Sequence, residues 1–170
     1  MRSSLQIKDI FLHPGEFVVA DACCRLSTLL GSCVAITLWH PARRIGAMSH
    51  FLLPTQGRKR RPTLSGRYGD EALDLMLAEL KKLHVPAAEC EARIFGGANM
   101  FPQRSPSEQR AVGEMNGLMA RALLQAQRIP IVSESLFGTE HRRIVFEVRS
   151  GAVRERVGRP AELQPEGHVA

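Results

Sequence analysis

Aromatic side chains are scarce, at 5% of the chain with one Trp and one Tyr. Surfaces that hold single-stranded nucleic acid stack bases on aromatic rings, so no nucleic-acid partner is expected. No apolar run approaches the ~18 residues that a spanning helix requires. The opening, MRSSLQIKDIFLHPGE, lacks the apolar stretch of a secretory signal. A cytoplasmic protein without membrane insertion is the expectation. The 4 cysteines make no CxxC pair, which argues against structural zinc. Cys23 and Cys24 are adjacent, and neighbours rarely bridge. Reduced thiols are the simplest reading, and neither metal nor cofactor is expected. No Walker-type Lys follows Gly96 and Gly97, so these glycines read as a tight turn rather than a phosphate cradle.

What is present describes an ordinary globular chain. Of its 170 residues, 44% are hydrophobic and 24% charged, enough for one domain with a sizeable core. That domain is expected over residues 1–158. Residues 159–170 have no apolar periodicity and read as a flexible tail. The net charge of +6 suggests an acidic partner. Part of it is concentrated in GRKRRP, where Arg58, Lys59, Arg60 and Arg61 form either a solvated loop or a steering patch.

Hydrophobic patterning gives strands and two long helices. EFVVADAC (16–23), VAITLW (34–39), IGAMSHFLL (45–53), CEARIF (90–95), IPIVSES and RRIVFEVRSGAVRERV read as strands, the last folded at Ser150–Gly151. DEALDLMLAELKKLH (70–84) places Ala72, Leu73, Met76, Leu77, Leu80 and Leu83 on one helical face and ends before Pro86. SEQRAVGEMNGLMARALLQAQ (107–127) is a second helix, weakened by Gly113 and Gly117. Strands and helices do not alternate regularly. The expected class is therefore α+β, a layered mixed β-sandwich flanked by two long helices.

Two residues stand out chemically. Cys33 follows Gly31 and Ser32 at the head of VAITLW, and His50 lies in the returning strand beyond HPARR. A hairpin about that turn places His50 opposite Cys33 or one residue away. Directly opposed Cβ atoms lie ~4.5–5.5 Å apart and diagonal ones ~7–8 Å. One residue of register decides whether the two share a face. On one face, an imidazole can activate a thiol nucleophile and protonate a departing amine. Gly31 and Ser32 would let substrate approach the backbone, whose N–H groups can hold an oxyanion. The hydroxyls of Ser27 and Thr28 are close enough in sequence to orient the imidazole. Against this, a cysteine heading an apolar strand is usually a small buried hydrophobe.

Taken in order, TLLGSCVAITLWHP, GAMSHFLLP, RYGDEALDLML and ARIFGGANMF resemble the CheD family of chemoreceptor glutamine deamidases, from about Glu16 to Val157. The resemblance implies hydrolysis of particular glutamine amides on methyl-accepting chemotaxis receptors, giving glutamate and ammonia. Receptor methylester hydrolysis is a further activity it implies. The chain would then be a protein-glutamine glutaminase acting on receptor cytoplasmic helices, with a CheC-type phosphatase as a second partner. The alternative is a non-enzymatic adaptor that binds receptor or phosphatase.

The resemblance also implies a fold similar to the cytotoxic necrotizing factor-like cysteine hydrolases. It places the nucleophile at Cys33 and the histidine at His50. The third catalytic residue falls on Ser27 by ungapped count and on Thr28 by chemical identity. Gly31 and Ser32, with Arg58, Arg60 and Arg61, are the expected substrate contacts. Where many relatives show Gly-x-Arg-Asn, this chain has Gly113, Glu114, Met115 and Asn116. Late in the chain, Phe137 and His141 stand where relatives often carry glycine, while Gly138 is kept.

Overall fold

The computed structural model describes residues 6–57, 62–104 and 111–164. In chain order the elements are β1 (Lys8–Phe11), β2 (Phe17–Ala20), β3 (Cys24–Leu30), β4 (Val34–His40), β5 (Ile45–Ser49), α1 (Gly69–Lys82), β6 (Glu91–Gly96), α2 (Val112–Ala126), β7 (Ile131–Leu136), β8 (His141–Glu147) and β9 (Val153–Gly158). The strands form two mixed sheets, ordered β1-β3-β8-β9 and β2-β5-β4-β6-β7. β1 runs parallel to β3 and β6 parallel to β7; the other pairs are antiparallel.

Three layers follow from which side chains each strand can bury. β4 is apolar on both faces, as a strand covered on both sides must be. Its Val34, Ile36 and Leu38 pack outward with Ile94 of β6 against Leu73, Met76 and Leu80 of α1 and Ala120 and Leu124 of α2. Ala35 faces the other way, where Met48 and Phe95 meet Leu26 and Leu30 of β3 and Ile144 and Phe146 of β8. Helices thus cover one face of the five-stranded sheet and the four-stranded sheet covers the other. This is the α+β sandwich with two flanking helices that the sequence indicates.

Three local readings change. Two strands that the patterning does not give are present: β3, which carries the segment ahead of the cysteine, and β1, which precedes the first strand read from the sequence. The returning strand is shorter than 45–53: its ladder stops at Ser49 and continues only as single bridges at Phe51 and Leu53. Pro160–Leu163 forms a short 3₁₀ turn rather than loose chain, because Leu163 buries its side chain and its carbonyl accepts from Arg143.

Candidate active site

The register of the β4–β5 hairpin decides the geometry. Thr37 pairs with Met48, and the bridge between Val34 and Phe51 extends the same register. His50 therefore stands level with Ala35, and Cys33 is its diagonal neighbour. Both lie on the face turned toward the four-stranded sheet: Cys33 packs with the inter-sheet cluster that holds Ala35 and Met48, and His50 reaches across to β3. Diagonal neighbours on one face are within reach of a long or aromatic side chain.

Across the sandwich, β3 alternates Leu26, Thr28 and Leu30 into the interior. The Thr28 hydroxyl donates to the Leu12 carbonyl at 2.7 Å and lies 2.6 Å from His50 Nδ1. A threonine hydroxyl has one proton. Since Leu12 takes it, Nδ1 must carry the imidazole proton and donate to Thr28. Nε2 is left with the free lone pair, the form required of a general base. Ser27 alternates to the opposite side of β3 and is half-buried. Of the two hydroxyls left open by the sequence, Thr28 is the one that touches the imidazole.

Burial sets the protonation states. His50 is 2% exposed. Burial pulls its imidazole down from the ordinary 6.5 to about 4, with the Leu12 carbonyl and the Glu16 carboxylate opposing and His13 pressing it lower. The half-buried Cys33 thiol is pushed up by burial, opposed by a hydrogen bond from its own backbone N–H. Both shifts favour a neutral thiol and a neutral imidazole at rest.

The backbone around the thiol is held by the GGANMF turn. Gly97 N–H donates to the Cys33 carbonyl at 2.9 Å and Ala98 N–H to the Gly31 carbonyl at 3.0 Å. Gly96 has φ 110°, and a Cβ there would lie 2.2 Å from the Cys33 carbonyl oxygen, so only glycine fits. Gly96 and Gly97 thus supply the tight turn expected of them. Asn99 shapes the same turn, its side-chain oxygen accepting from Phe101 N–H.

A family model described as CheD chemotactic sensory transduction matches residues 52–156. A relative from Albidiferax ferrireducens, named "Probable chemoreceptor glutamine deamidase CheD 2", is 60% identical over 85% of this chain and 84% of its own. The chain belongs to the CheD family. A relative from Chromobacterium violaceum, named "Probable chemoreceptor glutamine deamidase CheD 1", is 40% identical over 94% of this chain and 83% of its own. A crystal structure of the Bacillus licheniformis hypothetical protein YfiH is similar at 14% identity and a TM-score of 0.46, over 70% of this chain and 49% of its own.

In this CheD-family chain, Gly31 and Ser32 lie in the segment that leads into the thiol. A Cβ on Gly31 would lie 2.9 Å from Met100 Sδ and 3.2 Å from His141 Nε2, so both side chains pack over the segment that precedes Cys33. His141 is half-buried here. Phe137 holds a left-handed φ of 73° and lays its ring against Gly117 of α2, with the Arg121 guanidinium 5.2 Å above it. Met115 projects from α2 as an exposed side chain. Beside these residues, Gly97, Asn99, Glu114, Leu118, Phe137 and Gly138 line an open cavity of about 260 Å³. Arg58, Lys59, Arg60 and Arg61 lie outside the described residues.

Sequence reasoning missed two contributors. The Leu12 carbonyl fixes the Thr28 proton, and nothing in a Leu signals that its backbone will matter. Asn116 is fully buried and touches the segments on both sides of the site. Its position between Gly113 and Gly117 was the available signal: two small residues around a polar one mark a helix face pressed closely against backbone.

Proposed function

We propose that this protein hydrolyses the side-chain amides of specific glutamines on the cytoplasmic helices of methyl-accepting chemotaxis receptors. The observation that carries the reading is the Leu12–Thr28–His50 relay, which leaves an unprotonated Nε2 on the face shared with Cys33. Membership of the CheD family and the names of its relatives support the choice of substrate.

The steps balance. His50 Nε2 takes the Cys33 proton as Sγ attacks the glutamine Cδ, and the carbonyl oxygen becomes an oxyanion. The Cys33 backbone N–H is a donor for that oxyanion. The C–N bond then breaks, His50 gives its proton to the amine, and ammonia leaves. Water loses a proton to His50 and attacks the thioester. The C–S bond breaks, glutamate is released, and the proton returns to Sγ. Thr28 holds the same imidazole tautomer throughout. A receptor glutamate methyl ester would follow the same course with methanol as leaving group, which makes ester hydrolysis a second activity of the site. Binding to a CheC-type phosphatase is a further part of the proposal. Among the described residues no helix is long and apolar enough to cross a membrane, in keeping with action on the cytoplasmic part of a receptor.

The test is to incubate purified receptor cytoplasmic fragments with the protein and follow ammonia and peptide mass together. Gains of ~1 Da at glutamine, matched one for one by ammonia, are expected of acyl-transfer hydrolysis. Amine incorporation instead of water would indicate a transglutaminase. Adaptation activity without either product would indicate an adaptor.

A further inference from the structure

We infer that Asn116 is a positioning residue that sets the separation between the nucleophile and its base. The inference rests on the proposed cysteine–histidine chemistry. α2 approaches the ends of the central strands as closely as glycine permits: a Cβ on Gly113 would lie 2.4 Å from the Ala98 carbonyl oxygen. That approach brings the next turn's Asn116 amide against two carbonyls. Its Nδ2 donates to the Ser32 carbonyl at 3.0 Å and to the Leu52 carbonyl at 2.8 Å.

Those two carbonyls belong to the segments that matter. Ser32 immediately precedes Cys33, and Leu52 lies two residues beyond His50. Between them the strand ladder is thin: past Thr37–Met48 the named register continues only at the Val34–Phe51 bridge. Among the described residues, neither Ser32 nor Leu52 accepts a backbone hydrogen bond with its carbonyl. One side-chain nitrogen therefore closes the open end of the hairpin that carries both catalytic groups.

The amide orientation is fixed by chemistry. Turned over, its oxygen would face two carbonyl oxygens, placing three acceptors together with no proton among them. In the orientation observed, Oδ1 is buried and has no partner among the described residues. A buried acceptor left unsatisfied is destabilising, and an apolar side chain would avoid it. The helix nevertheless carries the one group whose nitrogen can hold both segments at once. Asn116 reaches them from the helix-covered side of the sheet, while Cys33 and His50 face the opposite sheet, so it acts through the backbone and not on substrate.

The test compares the wild type with Asn116→Ala, Asn116→Leu, His50→Gln and Leu80→Ala, the last a fully buried core position on α1. Steady-state kinetics on receptor fragments are combined with the pH dependence of Cys33 alkylation by iodoacetamide. Asn116→Ala is expected to lower kcat at least ~10-fold with KM within ~3-fold, the pattern of a lost geometric constraint on the chemical step. Its alkylation profile should move toward that of His50→Gln, because the thiol loses its imidazole neighbour. Asn116→Leu fills the space without a donor and should show the same losses in a folded protein. Leu80→Ala should keep the wild-type profile. Wild-type kcat and profile in either folded Asn116 variant would overturn the inference. So would a loss of activity that only tracks stability, as in Leu80→Ala. Identical profiles in the wild type and His50→Gln would instead remove the cysteine–histidine reading beneath it.

Discussion

Thr28 Oγ1 lies 2.6 Å from His50 Nδ1 and joins the two sheets of the sandwich at the site. The contact is more than a tether, because the Leu12 carbonyl has already taken the hydroxyl proton. Thr28→Val keeps the shape of the side chain and removes the acceptor. It strands the Nδ1–H of a buried imidazole at a cost of about 1–3 kcal/mol and frees the ring to take the wrong tautomer. Turnover should fall at least ~10-fold, by loss of the oriented base. Thr28→Ser should recover most of it and Ser27→Ala should leave it near wild type, measured as ammonia release.

The burial of His50 makes a prediction about acid. In the proposed chemistry the free enzyme needs a neutral imidazole to accept the thiol proton. With His50 held at about 4 rather than 6.5, the acid limb of kcat/KM should fall near pH 4. Stability moves in the same direction. Between 6.5 and about 4 the unfolded chain binds a proton that the folded state refuses, so stability is full above 6.5 and drains as pH falls toward 4. The window is worth roughly 3 kcal/mol for one group shifted this far. Thermal unfolding of His50→Gln should show a correspondingly flatter pH dependence over that range.

Gly96 should tolerate no side chain. A Cβ would strike the Cys33 carbonyl, and the backbone at φ 110° is strained for any other residue. Gly96→Ala is expected to cost about 3 kcal/mol or more, in the range of severe backbone substitutions. Activity per folded molecule should also drop, since the displaced atom belongs to Cys33, the proposed nucleophile. Chemical denaturation and ammonia release on the same preparation separate the two effects.

Much of this was legible in the sequence, and the rest failed for physical reasons. α1 could be read because its apolar residues keep helical spacing and it ends before Pro86. β4 could be read because a strand covered on both faces is continuously apolar. β3 was harder: its buried Leu26, Thr28 and Leu30 alternate with Arg25, Ser27 and Leu29, so polar residues punctuate the run. Cys33 and His50 were visible as chemistry, but their shared face depended on a register that no local pattern fixes. Leu12 acts through its carbonyl, which leaves no local trace, and Asn116 acts through a contact between distant segments that its flanking Gly113 and Gly117 mark only as a close approach.

The basic run of Arg58, Lys59, Arg60 and Arg61 bears on docking. If it steers an acidic receptor helix, replacing all four by glutamine should slow turnover mainly at low salt, because surface charges beyond a Debye length are screened as salt rises. An equal loss at low and high salt would place the effect elsewhere.

The most direct test of covalent catalysis at this site is the mass of receptor peptides after exposure to Cys33→Ala. Wild type should convert susceptible glutamines with gains of ~1 Da, the change expected of amide hydrolysis, while Cys33→Ala, folded and still bound to receptor, should convert none above the background rate. Glutamate appearing at the wild-type rate with Cys33→Ala would contradict the account.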